Sequence, residues 1–105
     1  MFDAAEYQVT LVTAPDINLA KELAEGLVAT RLAACVNIIN DVSSVYRWEG
    51  KINWDEEVLL VIKGLKSNGE LMTAHILSHH SYENPEVIHL PITGGSPDYL
   101  RWLSS

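Results

Sequence analysis

The sequence predicts an α+β domain of order β-α-β-β-α-β, closed by a short C-terminal helix. Three observations carry that prediction. Residues 31–64 hold two β-branched-rich runs, Ala33–Ile39 and Val58–Ile62, with Val42–Trp48 and Lys51–Trp54 between them and Glu49-Gly50 at the reversal. Valine, isoleucine, tyrosine and tryptophan fit a pleated surface and glycine supplies positive φ, so the stretch reads as one long antiparallel hairpin with its tip at Trp48–Lys51. Segments with helical character precede and follow this hairpin, and a strand stands at each end of the resulting unit.

Taken in order, Tyr7–Thr13 alternates Tyr7, Val9, Leu11 and Thr13 against Gln8, Thr10 and Val12, a short strand at least half buried. Ala14-Pro15-Asp16 ends it, and Asp16 is the N-cap candidate of the first helix. Across Ile17–Arg31 the apolar positions Ile17, Ala20, Leu23, Ala24, Leu27 and Val28 form one stripe; Gly26 within it points to close packing. After the hairpin, Lys66–Gly69 reads as a loop and Glu70–His79 as a second helix of looser periodicity. Ser81–Pro85 is a turn, and Glu86–Ile92 a last strand with prolines at both ends. Ser96-Pro97 then starts a short helix whose Tyr99, Leu100, Trp102 and Leu103 must dock on the sheet or on a neighbour. With right-handed crossovers, this order gives a four-stranded antiparallel sheet backed by two helices, the ferredoxin-like sandwich. The 105 residues form one domain, with no internal repeat or linker.

The hairpin is long for such a domain. An arm of about 14 residues spans on the order of 45 Å, whereas a compact chain of this length is roughly 33 Å across. The arms must bend, with Asn40-Asp41 and Asp55-Glu56 the expected irregularities, or overhang the body. The overhang would carry Val45, Tyr46, Trp48, Ile52 and Trp54, and a lone two-stranded ribbon is marginal in water. A homo-oligomer built through Tyr46, Trp48, Ile52, Trp54 and the tail residue Trp102 is therefore expected.

Composition narrows the class. Hydrophobic residues make up 48% and charged residues 20%, and the net charge is −7. That acidity argues against nucleic acid, whose affinity rests on Lys and Arg against phosphate. No stretch approaches a membrane span, and MFDAAEYQ lacks the basic and apolar regions of a signal peptide. The single cysteine, Cys35, excludes an intramolecular disulfide framework. A cytoplasmic protein is expected.

No nucleophile elbow, phosphate loop or C-x-x-C pair is present, so an enzyme is not expected. Cys35 reads as a small core residue, and Asp55-Glu56-Glu57 as a solvated face or bend. The histidines are the chemical signal. His75 and His79 lie four apart on the second helix, His80 follows, then Tyr82 and Glu83, with His89 on the last strand. Imidazole suits copper and zinc. Histidines at a helix end also cap carbonyls or pack at an interface. Two histidines are an incomplete set, so a metal site needs a carboxylate, water or a ligand from another subunit. Tyr46, Arg47, Trp48 and Lys63 read either as an aromatic interface or as a small-ligand pocket.

The segments R-L-A-A-C-V-N-I-I (31–39), V-Y-R-W-E-G-K-I (45–52), E-V-L-L-V-I-K (57–63), S-H-H-S-Y-E-N-P-E-V-I-H-L-P-I (78–92) and D-Y-L-R-W-L (98–103), with T-A-P-D at 13–16, resemble the CutA family of divalent-cation tolerance proteins. The resemblance runs from about Val9 to Leu103. It implies a ferredoxin-like homotrimer of the PII-like kind, in which hairpins of neighbouring protomers complete intermolecular sheets. It implies binding of copper (Cu2+) or other divalent cations and no organic cofactor. His79-His80 matches the histidine pair that some bacterial members use for copper, with His75 and Glu83 as weaker candidates. Val12 stands where that bacterial pattern has a cysteine, which favours Cu(II) or Zn(II) on imidazole over Cu(I). Ser81 replaces a proline, and Asn40-Asp41 replaces Pro-Gly at the hairpin bend. The PII-like architecture also implies a second reading, a regulator holding a small ligand between protomers. A structural scaffold is a third.

Overall fold

Alternation along the first strand, β1 (Tyr7–Ala14), sends Gln8, Thr10, Val12 and Ala14 to one face, and all four are buried. The computed structural model describes residues 6–105. Residues 1–5, which begin the stretch read above for a leader, lie outside the described residues. Asp16 caps the first helix, α1 (Ile17–Ala29), by accepting a hydrogen bond from the Leu19 amide at 2.8 Å. The helix ends two residues earlier than its apolar stripe suggests. Arg31 takes a left-handed φ of 62°, and the Leu32 amide turns back to the Leu27 carbonyl.

The hairpin strands are β2 (Cys35–Trp48) and β3 (Lys51–Leu65). Each is continuous where the sequence suggested two pieces. Of the two expected irregularities only one exists. Asn40 and Asp41 stand opposite Val58 alone, between the pairs Ile39↔Leu59 and Val42↔Glu57, and Asp41 has a φ of 59°. Through Asp55-Glu56 the register runs unbroken, because the partner strand absorbs the whole irregularity. At the tip Glu49 and Gly50 have φ of 51° and 77°, the two positive values of a tight reversal matched to strand twist.

A short 3-10 turn (Lys66–Asn68) leads into α2 (Gly69–His79). Strand β4 (Val87–Pro91) and helix α3 (Pro97–Leu103) complete the chain. The sheet order is β2-β3-β1-β4, all antiparallel, as the ferredoxin-like reading requires. Ala20, Leu23 and Leu27 of α1 and Met72 and Ile76 of α2 pack on Val12, Leu60 and Ile62. Gly64 lets β3 approach the chain after α1: a Cβ there would lie 3.2 Å from the Leu32 carbonyl oxygen. Helix α3 closes a second cluster, in which Leu100 and Leu103 meet Tyr7 with Cys35 packed alongside. Cys35 is thus a partly buried packing residue.

Strand β1 pairs with β3 only from Val58 onward. The segment 51–57 pairs with β2 alone and projects beyond the body. The long dimension reaches 49 Å against 25 and 23 Å for the others. The overhang expected from the arm length is present.

Candidate functional site

Two features adjoin where β1, α2 and the hairpin meet. The first is the histidine-rich end of α2. The His75 ring lies over Gly26 of α1, its Nε2 3.1 Å from where a Cβ on that glycine would stand. This is the close helix approach expected from Gly26. His79 stacks on His75 with ring centroids 4.2 Å apart and planes 22° from parallel. Its Nδ1–H donates to the His75 carbonyl at 2.7 Å, which leaves the Nε2 lone pair without a partner among the described residues. Burial, and then the neighbouring His79, push the His75 pKa below its ordinary value, which favours the neutral, ligating form.

His80 is oriented differently. The Tyr82 amide donates to its Nδ1 at 3.0 Å, so the ring hydrogen sits on Nε2 and donates to the Thr13 carbonyl at 2.8 Å. Both nitrogens are therefore engaged in pinning the loop after α2 onto β1. His89 is held likewise, with Thr10 and Gln8 at Nδ1 and Thr73 at Nε2. The structure thus brings His75 and His79 together and turns His80 away from them. Among the described residues no three His, Cys, Asp or Glu side chains converge as a metal-holding group. Val12 is fully buried in the core beneath the helices.

The second feature is a groove of about 590 Å³ between the hairpin overhang and the loop after α2. The bulge at Asn40-Asp41 shifts the facing of β2, so Tyr46 and Trp48 share a face with Asp55 and Glu57 of β3. These four line the groove from one side; Tyr82, Glu83 and Glu86 line it from the other. The Tyr82 hydroxyl donates to Glu57 Oε2 at 2.8 Å, and its ring leans on His80 at 4.8 Å. Burial, and then the Glu57 carboxylate, hold the Tyr82 pKa far above the ordinary tyrosine value. The Tyr46 hydroxyl donates to Asp55, and that bond is the main reason its pKa is raised.

Glu57 corrects the expectation that the 55–57 acidic run is a solvated face. It is 9% exposed, with Tyr82 against it. Strand alternation places it on a face, but its partner lies 25 residues away on a loop, so no local pattern could have announced the pair. The candidate pocket Tyr46, Arg47, Trp48 and Lys63 does not assemble. Arg47 lies on the other face of the ribbon, and Lys63 sits at the far end of β3, donating to Asn37. Ile52 and Trp54 occupy the ribbon face opposite Tyr46 and Trp48, 75% and 69% exposed. Trp102 is exposed on α3 beside Tyr99.

Comparison with known proteins fits this geometry. Residues 8–105 match the profile of the family described as CutA1 divalent ion tolerance protein. The chain belongs to the CutA1 family. It is 50% identical over 97 residues to "Protein CutA, chloroplastic" of Arabidopsis thaliana, covering 92% of this chain and 53% of that one. To the "Divalent-cation tolerance protein CutA" of Pectobacterium atrosepticum it is 43% identical, covering 92% and 88%. The chain thus spans only about half the length of the plant relative. CutA1 of Oryza sativa superposes with a TM-score of 0.92 at 45% identity, covering 95% of this chain and 92% of that one. The CutA1 of Thermus thermophilus gives 0.91 at 39% identity, covering 93% and 95%. One CutA1 neighbour, from Archaeoglobus fulgidus, is described as periplasmic. No described helix of this chain is long and apolar enough to cross a membrane.

Proposed function

We propose that this CutA1 chain works as a cytoplasmic homotrimer that binds divalent cations, copper(II) foremost, in metal-ion homeostasis. The observation that carries the metal reading is the Nε2 lone pair of His79, unpartnered among the described residues, beside the His75 ring at the exposed end of α2. Imidazole nitrogen suits Cu(II), and neutral His75 adds a second nitrogen once its ring rotates out of the stack. The donor set within one chain is partial, so water, Glu83 or a neighbouring protomer would complete it. His80 acts first as the pin of the loop, and its ligation would cost both of its hydrogen bonds. Self-association has physical support, and the number three is what the family resemblance implies. The ribbon exposes apolar side chains on both faces, and Ile39, Ile88 and Leu90 remain about half exposed on strands of the sheet.

Calorimetric titration of metal-stripped protein with Cu(II) tests the metal reading, with His79→Ala, His75→Ala and His80→Ala as separate variants. Saturable binding that disappears in His79→Ala is the expected result. Binding unaffected by His79→Ala and His75→Ala would refute the site. Sedimentation equilibrium tests the assembly, with a mass of three chains expected and a monomer refuting it. The regulator alternative with an anionic metabolite gains no support from the groove, whose charged lining residues are all carboxylates.

A further inference from the structure

His79 and His80 follow one another in the chain and are held in opposite tautomers. A ring nitrogen 2.7 Å from a carbonyl oxygen needs a hydrogen between the two, so His79 carries its hydrogen on Nδ1, toward the His75 carbonyl. The Ser78 hydroxyl sits at the same junction, 2.9 Å from that carbonyl and 2.9 Å from His79 Nδ1. A hydroxyl has one hydrogen and a carbonyl can only accept, so the Ser78 hydrogen goes to the carbonyl. Toward Nδ1 the Ser78 oxygen then accepts, and the His79 hydrogen is shared between two acceptors. His80 has the reverse arrangement: its Nδ1 accepts from the Tyr82 amide and its Nε2–H donates to the Thr13 carbonyl. In a histidine, the partner of one ring nitrogen sets which nitrogen is open to a metal. With its hydrogen on Nε2, His79 would have its lone pair on Nδ1, against Ser78 and the His75 carbonyl. Held as it is, the ring offers Nε2, and a neutral imidazole nitrogen suits Cu(II).

We infer that Ser78 is a positioning residue for divalent-metal binding: by accepting from Nδ1 it holds His79 in the tautomer whose Nε2 can ligate. This role rests on the metal reading of His79. It separates His79 from His80, whose locked tautomer has no lone pair to offer while the loop after α2 stays pinned.

Nitrogen NMR of isotope-labelled histidine rings in metal-free protein tests the tautomers, at about pH 8, above the ordinary histidine range. The hydrogen is expected on Nδ1 in His79 and on Nε2 in His80. Ser78 is exposed and alanine is the better helix former, so Ser78→Ala should fold. In that variant the His79 population should move toward the Nε2–H form while His80 stays as it is. Calorimetric titration should show Cu(II) binding weakened by about threefold to tenfold, the effect of one neutral hydrogen bond. A threonine hydroxyl also reaches the carbonyl three or four residues back in a helix, so Ser78→Thr should restore both tautomer and affinity. His79 found with its hydrogen on Nε2 in the parent, or a tautomer unmoved by Ser78→Ala, overturns the inference. So does Cu(II) affinity unchanged in Ser78→Ala although the tautomer has shifted. A parent that shows the expected tautomers but binds no Cu(II) overturns the metal reading, and the ligation role of Ser78 with it.

Discussion

Replacing Tyr82 by phenylalanine removes one oxygen and leaves the ring beside His80 in place. That oxygen donates at 2.8 Å to Glu57, which is 9% exposed. A hydrogen bond to a charged acceptor contributes about 1.5–3 kcal/mol, and losing the donor leaves the buried carboxylate short of a partner. Tyr82 itself is only partly buried, so water can reach part of the gap and the lower end applies, about 1.5 kcal/mol. With a urea dependence of about 1.5 kcal/mol per molar for a chain of this size, the midpoint should fall by about 1 M. Urea unfolding by tryptophan fluorescence, at one fixed protein concentration because the proposed assembly would add to stability, reads the change. Tyr46→Phe is the control, since it removes the same atom from a bond to Asp55 between two exposed residues. Its midpoint should move much less than that of Tyr82→Phe. Equal shifts in the two variants, or no shift in Tyr82→Phe, would refute the argument that burial of Glu57 sets the strength of its bond.

Acidification should weaken the fold through His75. Its folded pKa lies below the ordinary 6.5, so just below that value the unfolded chain binds more protons and stability falls as pH falls. Melting curves of the parent against His75→Gln across that window should show a shallower dependence in the variant. Gly26→Ala should bring little net gain: the helix gains up to about 1 kcal/mol, offset by the new Cβ 3.1 Å from His75 Nε2. NMR of the histidine rings should show the His75–His79 stack disturbed, and undisturbed ring shifts would count against the packing described. Gly64→Ala should cost about 1–3 kcal/mol, since the obstacle is the Leu32 carbonyl and not a movable side chain; an unchanged melting temperature would contradict it. Trp48→Ala should shift sedimentation toward smaller species on dilution, because it removes an anchor at the exposed tip. A mass equal to the parent's at the lowest concentration would mean the tip contributes little to assembly.

The fold was legible because its signals are local. Alternation in Tyr7–Thr13, the capping aspartate before α1 and Glu49-Gly50 at the reversal each act within a few residues, and each element stands where those patterns put it. Boundaries were less legible. The stripe of α1 continues to Arg31, but the helix stops when Arg31 turns left-handed, a choice made by the packing of Leu32 and Ala33 after it. At Asp55-Glu56 the composition suggested a bend, while the opposite strand carried the irregularity alone.

The sequence by itself determined the topology, the overhanging hairpin and the chemical inventory of the α2 end, because period, turn chemistry and arm length are properties of neighbouring residues. Only the tertiary structure decided what the side chains of the candidate site contact. His79 and His80 are adjacent in the chain, yet among the described residues one keeps a nitrogen unpartnered and the other spends both on Thr13 and Tyr82. Glu57 and Tyr82 lie 25 residues apart and meet only because the loop after α2 folds back over β3. Tyr46 and Trp48 face the acidic groove, and Arg47 does not, because one extra residue at Asn40-Asp41 sets which face of the ribbon each side chain takes. Such contacts are decided by how distant elements dock, and in a sheet one residue of register is enough to exchange the two faces.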